Sequence, residues 1–173
     1  CFNLPDGGNL AGHEVDEKIL SMVLFYTRNL AVPMRRKYDD QAVVQGEKIF
    51  HQSGCAGCHI PSFVTSKSAV EPELASQVIY PYSDLLLHDM GDKLSDNRPE
   101  FLATGSEWRT PPLWGIGLAN VVNKEASFLH DGRARNILEA ILWHGGEAQS
   151  ARDNVVNLSP ENRAALIQFV NSI

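Results

Sequence analysis

Basic residues, cysteines and long apolar runs are all scarce in this chain of 173 residues. Lys and Arg number 15 against 21 Asp and Glu, which gives a formal net charge of −6. Since nucleic-acid binding needs clustered cations that contact phosphates, the sequence predicts no nucleic-acid partner. There is also no run of about 18 apolar residues, so it predicts no membrane-spanning helix. The hydrophobic fraction of 43% is ordinary for a globular protein that buries a core.

Two of the three cysteines lie in the segment Cys55-Ala56-Gly57-Cys58-His59. This is C-x-x-C-H, the attachment signature of a c-type haem. The spacing suits the chemistry because Cys55 and Cys58 can add to the two vinyl groups of one porphyrin, while His59 falls under the iron as its proximal ligand. The motif therefore predicts one covalent haem c.

Two other interpretations of this motif are open but weaker. A zinc ribbon needs a second pair of Cys or His ligands, whereas the one remaining cysteine is Cys1. A thioredoxin-type C-x-x-C motif needs a βαβ surround, and the sequence pattern shows none.

Cys1 leaves an odd thiol, which either pairs with an upstream cysteine or carries a lipid anchor; we favour the pairing. Haem is attached to c-type proteins outside the cytoplasm. We therefore expect a periplasmic protein from which an earlier signal peptide has been removed.

Capping residues and apolar spacing predict two helices before the motif. Asp16 caps the first, which runs to about Ala31. Its apolar face consists of Ile19, Leu20, Val23, Leu24 and Leu30. Asp39 or Asp40 caps the second, which runs from Gln41 to about His51. Its inner positions are Val43, Gly46, Ile49 and Phe50.

After the motif the pattern predicts mostly helix and loop. A small hairpin over 62–66 and 76–80 precedes a short helix over 85–89, a loop over 92–112 and one helical turn over 113–118. Asn136 opens a helix to about His144, and Ser159 caps the last helix, about 161–172, which buries Ala165, Leu166, Phe169 and Val170. Since Gly46 costs about 1 kcal/mol inside a helix, we expect the last helix to cross the 41–51 helix there, with Gly46 and Phe50 meeting Leu166 and Phe169.

A six-coordinate haem needs a second axial ligand, and the sequence favours Met90. Met90 lies between acidic residues in a polar loop, where packing alone does not explain a methionine. The alternatives are an open site, His88, His130 and His144. Ligation by His59 and Met90 raises the haem potential and leaves no place for peroxide at the iron.

Three further side chains are candidates for the haem pocket. Arg109 can pair with a haem propionate through two hydrogen bonds, and the N–H groups of Trp108 and Trp114 need partners when buried. We predict that Arg109 and Trp114 line the haem, whereas we interpret His130 as a turn residue.

Four segments together resemble the C-terminal half of bacterial di-haem oxidoreductases. This group is related to di-haem cytochrome c peroxidases and to the di-haem enzymes of methylamine utilisation. The segments are 55–59, 81–91, 109–115 and 128–133, and the resemblance covers about 14–173. It implies an all-α fold, a class I cytochrome c-like haem domain in which Met90 matches the family's distal methionine. It also implies that residues 14–37 resemble the end of a preceding haem domain.

These inferences divide the chain into an N-terminal helical appendage, 1–38, and a haem domain, 39–173. The sequence departs from the family pattern because it has a single C-x-x-C-H, so the haem expected to carry peroxide chemistry is absent. The favoured function is electron transfer to a redox partner protein or to a preceding haem domain. The alternatives are a peroxidase-like oxidoreductase and a haem-bearing structural remnant.

Overall fold

The structure, a computed structural model, describes residues 14–173. The loop predicted over 1–13 and the role of Cys1 lie outside the described residues. The chain divides into two units, Cys1–Val32 and Pro33–Ile173. Residues 33–38, which the sequence analysis grouped with the appendage, belong to the second unit. The predicted domain assignment as a whole stays a prediction.

The fold is mostly helical, with two small antiparallel sheets. The α-helices of the described residues are α1 Glu17–Arg28, α2 Gln41–Gln52, α3 Ala119–Val122, α4 Ile137–Trp143, α5 Gln149–Val156 and α6 Pro160–Ser172. The strands are β1 Phe63–Val64, β2 Val78–Ile79, β3 Leu87–Asp89 and β4 Glu107–Arg109. β1 pairs with β2, and β3 pairs with β4. None of the helices described is both long and apolar enough to cross a membrane.

Helix α1 begins as predicted and ends earlier than predicted. The Asp16 carboxylate accepts a hydrogen bond from the Lys18 N–H at 2.9 Å, and Asn29 caps the other end. Every residue of α1 is exposed, including those of its predicted apolar face. The spacing of the apolar residues therefore predicted the helix correctly, and its apolar face is exposed.

Helices α2 and α6 form the core of the second unit. All four inner positions predicted for α2 are buried, as are the four predicted for α6. Phe50 meets Phe169 edge to face, with ring centroids 5.2 Å apart. A Cβ on Gly46 would lie 2.7 Å from the Cβ of Phe169 and closer still to the carbonyl oxygen of Ala165. The predicted close crossing at Gly46 is confirmed.

The segment before Met90 is a strand, so the helix predicted over 85–89 is wrong. Strand β3 pairs with β4 in the register Leu87↔Arg109, His88↔Trp108 and Asp89↔Glu107. Leu85 adopts a left-handed backbone, with φ of 61°, which stops a helix there. The partner strand lies inside the predicted loop over 92–112, so local propensity could not reveal the pairing.

Most of the other local predictions are confirmed, and one helix was missed. The hairpin of β1 and β2 is confirmed, and Asn136 and Ser159 cap α4 and α6 as predicted. The helical turn over 113–118 forms as a 3₁₀ turn, Ile116–Leu118, that continues into α3. Helix α5 was not predicted, because its sequence, with one buried residue, Val155, carries little apolar pattern.

Replacing Gly46 with alanine tests the helix crossing. In an isolated helix this change stabilises by about 1 kcal/mol. Here the added methyl group collides with the backbone of α6, so we expect a net loss of about 1–3 kcal/mol in the free energy of unfolding. Chemical denaturation measures it, and Gln45→Ala, at an exposed position of α2, is the control. An unchanged or raised stability of Gly46→Ala would contradict the crossing.

Candidate haem site

The C-x-x-C-H motif is a tight turn at the end of α2. Gly54 adopts a left-handed backbone with φ of 91°, which lets the chain leave the helix and enter the 3₁₀ turn Cys55–Gly57. The His59 N–H then donates to the Cys55 carbonyl at 3.0 Å. The two thiols and the imidazole are thus presented from one short, hydrogen-bonded segment.

Both thiols of the motif are unpaired and half-buried. Burial raises the pKa of the Cys55 thiol to about 11. Burial also raises the pKa of Cys58, with the charges of Asp84 and Glu147 adding to the effect. Both thiols are therefore in the protonated form near neutral pH.

The imidazole of His59 is arranged as a ligand. Its Nδ1 lies 2.9 Å from the carbonyl oxygen of Tyr82, and a carbonyl can only accept, so Nδ1 carries the proton. Burial lowers the pKa of His59 to about 4, so the ring is neutral. No hydrogen bond to Nε2 is found within residues 14–173, which leaves its lone pair available. This donor set fits a c-type haem.

Met90 lies in a loop that is fixed by its backbone. The Met90 N–H donates to the Ser106 carbonyl at 2.9 Å, and its side chain is half-buried. A Cβ on Gly145 would lie 3.0 Å from the Met90 carbonyl oxygen, and one on Gly146 would lie 2.7 Å from the Gly91 nitrogen. The two glycines therefore allow the Met90 loop to contact the chain just after α4. Ligation by Met90 stays a prediction.

This contact brings a second candidate ligand, His144, beside the Met90 loop. The Nδ1 of His144 donates to the Ala140 carbonyl at 2.7 Å, and burial lowers the pKa of His144. In the described part of the chain nothing hydrogen-bonds to its Nε2, as at His59. The sequence leaves His144 as one of several alternatives, whereas the fold gives it, like His59, a lowered pKa and an Nδ1 on a backbone carbonyl.

His88, another alternative, has both ring nitrogens engaged. Nε2 lies 2.8 Å from an Asp84 carboxylate oxygen, and Nδ1 lies 2.8 Å from one of Glu147. The Cys58 sulfur joins Asp84 and His88 in a group whose ligand atoms all lie within 4.8 Å of one another. Because each nitrogen of His88 already faces a carboxylate, this arrangement favours an ion-pair cluster over a free axial ligand.

The remaining pocket candidates separate into two pairs. Trp108 donates its indole N–H to the Leu94 carbonyl at 3.0 Å and stacks on His130, with ring centroids 3.5 Å apart. The indole N–H of Trp108 therefore already has a hydrogen-bond partner within the protein. Trp114 is half-buried and Arg109 is exposed, and neither side chain makes a hydrogen bond to any residue the structure describes. Their roles towards haem propionates stay predictions.

Sequence reasoning missed Tyr82, whose carbonyl holds His59. Tyr82 lies 23 residues from His59 in the chain, and its backbone is left-handed, with φ of 52°. No local signal marks a backbone carbonyl as functional. The one available signal was its place in the Pro81–Gly91 segment that carries the family resemblance.

Comparison with protein families matches residues 5–173 to the family described as "di-haem oxidoreductase, putative peroxidase". The chain belongs to this family. The resemblance noted from the sequence is thereby confirmed, and membership supports a haem-based oxidoreductase. Searches of curated proteins and of solved structures returned no match.

The His88 cluster predicts a pH-dependent contribution to stability. Its hydrogen bonds, first to Glu147 and then to Asp84, raise the pKa of His88 above its ordinary value of 6.5. The charged pairing is therefore fully present below about pH 6.5 and is lost as the pH rises through the raised value. We expect His88→Gln to lower the melting temperature most in acid, with a smaller difference from the parent in alkali.

Thermal denaturation of parent and His88→Gln between about pH 6 and about pH 9 measures this difference. The exposed His51, on α2, supplies the control variant His51→Gln. A difference between parent and His88→Gln that stays constant with pH would contradict the ion-pair assignment.

Proposed function

We propose that this chain is an electron-transfer domain with a class I cytochrome c-like fold and one covalent haem c. Cys55 and Cys58 would hold the porphyrin, and His59 would be the proximal ligand. The observation that carries the proposal is the arrangement at the motif. Two unpaired, protonated thiols precede a neutral imidazole whose Nδ1 is hydrogen-bonded and whose Nε2 is available. When bound, haem c supplies one-electron redox chemistry.

The protein's own residues would determine whether that chemistry is electron transfer or catalysis. A side chain that closes the sixth position excludes peroxide and dioxygen from the iron. Met90 is the proposed ligand, because the loop around it is polar and packing alone does not explain a methionine there. His144 is the second candidate, favoured by the lowered pKa of its half-buried ring and by its place next to Gly145, which contacts the Met90 loop. Either residue would close the site to peroxide and suit it to electron transfer.

The partner would be a redox protein or a preceding haem domain. The family is described as di-haem, whereas the sequence contains one C-x-x-C-H. The exposed apolar residues of α1, such as Ile19 at 57% and Val23 at 51% exposure, also suit a surface that a partner covers. We propose a periplasmic location, which agrees with the place where c-type haem is attached.

Peroxidase-like catalysis is the second candidate function. It is favoured by one observation, the family description, which names a peroxidase. The two functions differ in the sixth ligand, because catalysis needs an iron that peroxide can reach. In this alternative the chain would work together with a second haem that it does not itself attach.

The first test of the proposal is covalent attachment. Protein produced with a haem-attachment system should keep its red colour after denaturation and should gain the mass of one haem. Cys55→Ala or Cys58→Ala should impair attachment, because each removes one thioether. Intact-mass spectrometry measures the added mass, and the absorbance of the pyridine complex measures the amount of attached haem. Colour that extracts into acidic organic solvent would contradict covalent haem c.

A pair of variants, Met90→Ala and His144→Ala, tests the sixth ligand. We expect the ferric parent to be low-spin, and we expect one of the two variants to become high-spin and to bind cyanide rapidly. A methionine–iron charge-transfer band at the red edge of the parent spectrum, lost in Met90→Ala, would assign Met90. If the parent lacks this charge-transfer band and the His144→Ala variant is high-spin, His144 is assigned as the sixth ligand.

Matched controls for this pair come from exposed residues. Met34 is 83% exposed, and His51 is exposed on α2, so Met34→Ala and His51→Ala should leave the spectrum unchanged. A parent that is already high-spin and binds cyanide rapidly would contradict the electron-transfer function and support the peroxidase-like alternative.

A further inference from the structure

A two-residue turn presents the most exposed large apolar side chains of the described residues. Phe101 is fully exposed and Leu102 is 95% exposed. Two backbone hydrogen bonds of 3.0 Å between Glu100 and Ala103, one in each direction, close the turn. Single exposed apolar residues are ordinary on protein surfaces, whereas two large neighbours at the end of a turn form a small apolar projection. We call Phe101 and Leu102 the apolar tip.

The backbone of the apolar tip is unfavourable for the residue that occupies it. Phe101 has φ of 56°, which a residue with a Cβ seldom adopts. Two-residue hairpin turns favour glycine, asparagine or aspartate where φ is positive. Neither turn preference nor burial explains a phenylalanine at this position. The ring therefore points to a use outside the fold.

Hydrogen bonds within the loop hold the apolar tip in place. The Asp96 N–H donates to the Gly105 carbonyl at 3.1 Å, and the Thr104 N–H donates to the Glu107 carboxylate at 2.6 Å. A Cβ on Gly105 would lie 2.7 Å from the Cα of Asn97, so the two arms of the loop are in close contact. A tip that is already ordered loses little conformational entropy when it binds.

The loop that ends in the apolar tip also begins at Met90. It leaves β3 at Met90, and the Met90 N–H donates to the carbonyl of Ser106, where the chain returns to β4. A molecule bound at the tip therefore binds the same loop that carries the proposed sixth ligand.

Charge distinguishes the partners that the apolar tip could meet. Residues 89–107 contain five carboxylates and two cations, and Glu100, which adjoins the tip, is exposed. Anionic lipid and a second copy of this chain, whose net charge is −6, would both be repelled. A protein with an apolar patch surrounded by basic side chains complements both the tip and its acidic surroundings.

We propose that the apolar tip is the docking site of a redox partner protein that presents an apolar patch surrounded by lysine or arginine side chains. The redox nature of the partner rests on the proposed function, whereas the docking site rests on the tip itself. The Phe101 ring is the anchor of this interface, since a few buried aromatic side chains supply most of the binding free energy of an interface. The surrounding carboxylates increase the rate of encounter.

Three variants and a control test the docking site in haem-loaded protein. Phe101→Gly and Leu102→Ser remove the two apolar side chains, and Glu100→Gln removes the adjoining charge. Val122→Ser makes a similar change on α3, at a residue that is 86% exposed. The probe is a small lysine-rich cytochrome c, and a small acidic ferredoxin is the charge control. Surface plasmon resonance at low ionic strength measures Kd and the two rate constants, and thermal denaturation measures the melting temperature.

We expect Phe101→Gly and Leu102→Ser each to weaken binding of the cytochrome by at least about tenfold, mainly through faster dissociation. Phe101→Gly should keep or raise the melting temperature, because glycine adopts a positive φ without steric cost. Weaker binding by a protein of equal or greater stability separates docking from a structural role. Glu100→Gln should slow association and reduce its dependence on salt. Val122→Ser should match the parent, and the ferredoxin should not bind.

Several results would overturn this inference. They are a parent that does not bind the cytochrome, tip variants that bind it as tightly as the parent, and a parent that binds the ferredoxin equally well. Self-association of the parent, or binding to phosphatidylglycerol vesicles, that is lost in Phe101→Gly would assign the tip to another occupant and would also overturn it. If Phe101→Gly fails to fold or melts at a clearly lower temperature, Leu102→Ser decides alone.

Failure of the proposed function is seen separately. A parent without covalent haem, or with a high-spin ferric spectrum, is recognised from its mass and spectrum before any probe is added. Binding of the cytochrome at the apolar tip does not affect either measurement. The two results therefore refute different statements.

Discussion

The close approach of α2 and α6 at Gly46 is the constraint on which the haem site depends. Because no side chain separates the helices there, Phe50 and Phe169 come into edge-to-face contact. Both rings also pack edge to face against the ring of Tyr82. Helix α2 also ends at Gln52, two residues before Gly54, where the chain turns into the motif. The helix crossing therefore positions both the motif and the residue that orients its histidine.

The rest of the site is built from backbone hydrogen bonds between segments far apart in the chain. The 81–91 segment bonds to Ile60, to Thr110 and, through β3, to β4. Its far end meets Gly145 and Gly146, where any side chain would collide with the backbone of residues 89–91. These contacts bring the backbone of Met90 close to Gly145, the residue after His144. His88 pairs with Asp84 and Glu147, and Cys58 of the motif lies in the same cluster.

Electrostatics separates the histidines of the site by role. His59 and His144 are kept neutral by burial, each with Nδ1 on a backbone carbonyl, which is the state required of an iron ligand. His88 faces two carboxylates that raise its pKa, which is the state of a structural cation. The same residue type is thus held in opposite charge states, because desolvation and carboxylate pairing shift its proton affinity in opposite directions.

The sequence by itself determined the local features whose signals are short-range. These are the C-x-x-C-H turn, the capping residues Asp16, Asn136 and Ser159, the buried faces of α2 and α6, and the glycine at their crossing. For the cap of α2 the sequence left Asp39 and Asp40 open, and the structure assigns Asp40. Tertiary structure alone decided the strand before Met90, the carbonyl of Tyr82 on His59, and the placing of His144 beside the Met90 loop. Each of these depends on a partner at least 18 residues away in the chain, as Glu107 is from Asp89. Capping and periodicity act within a helical turn, whereas these pairings form only when the core closes, so no local pattern records them.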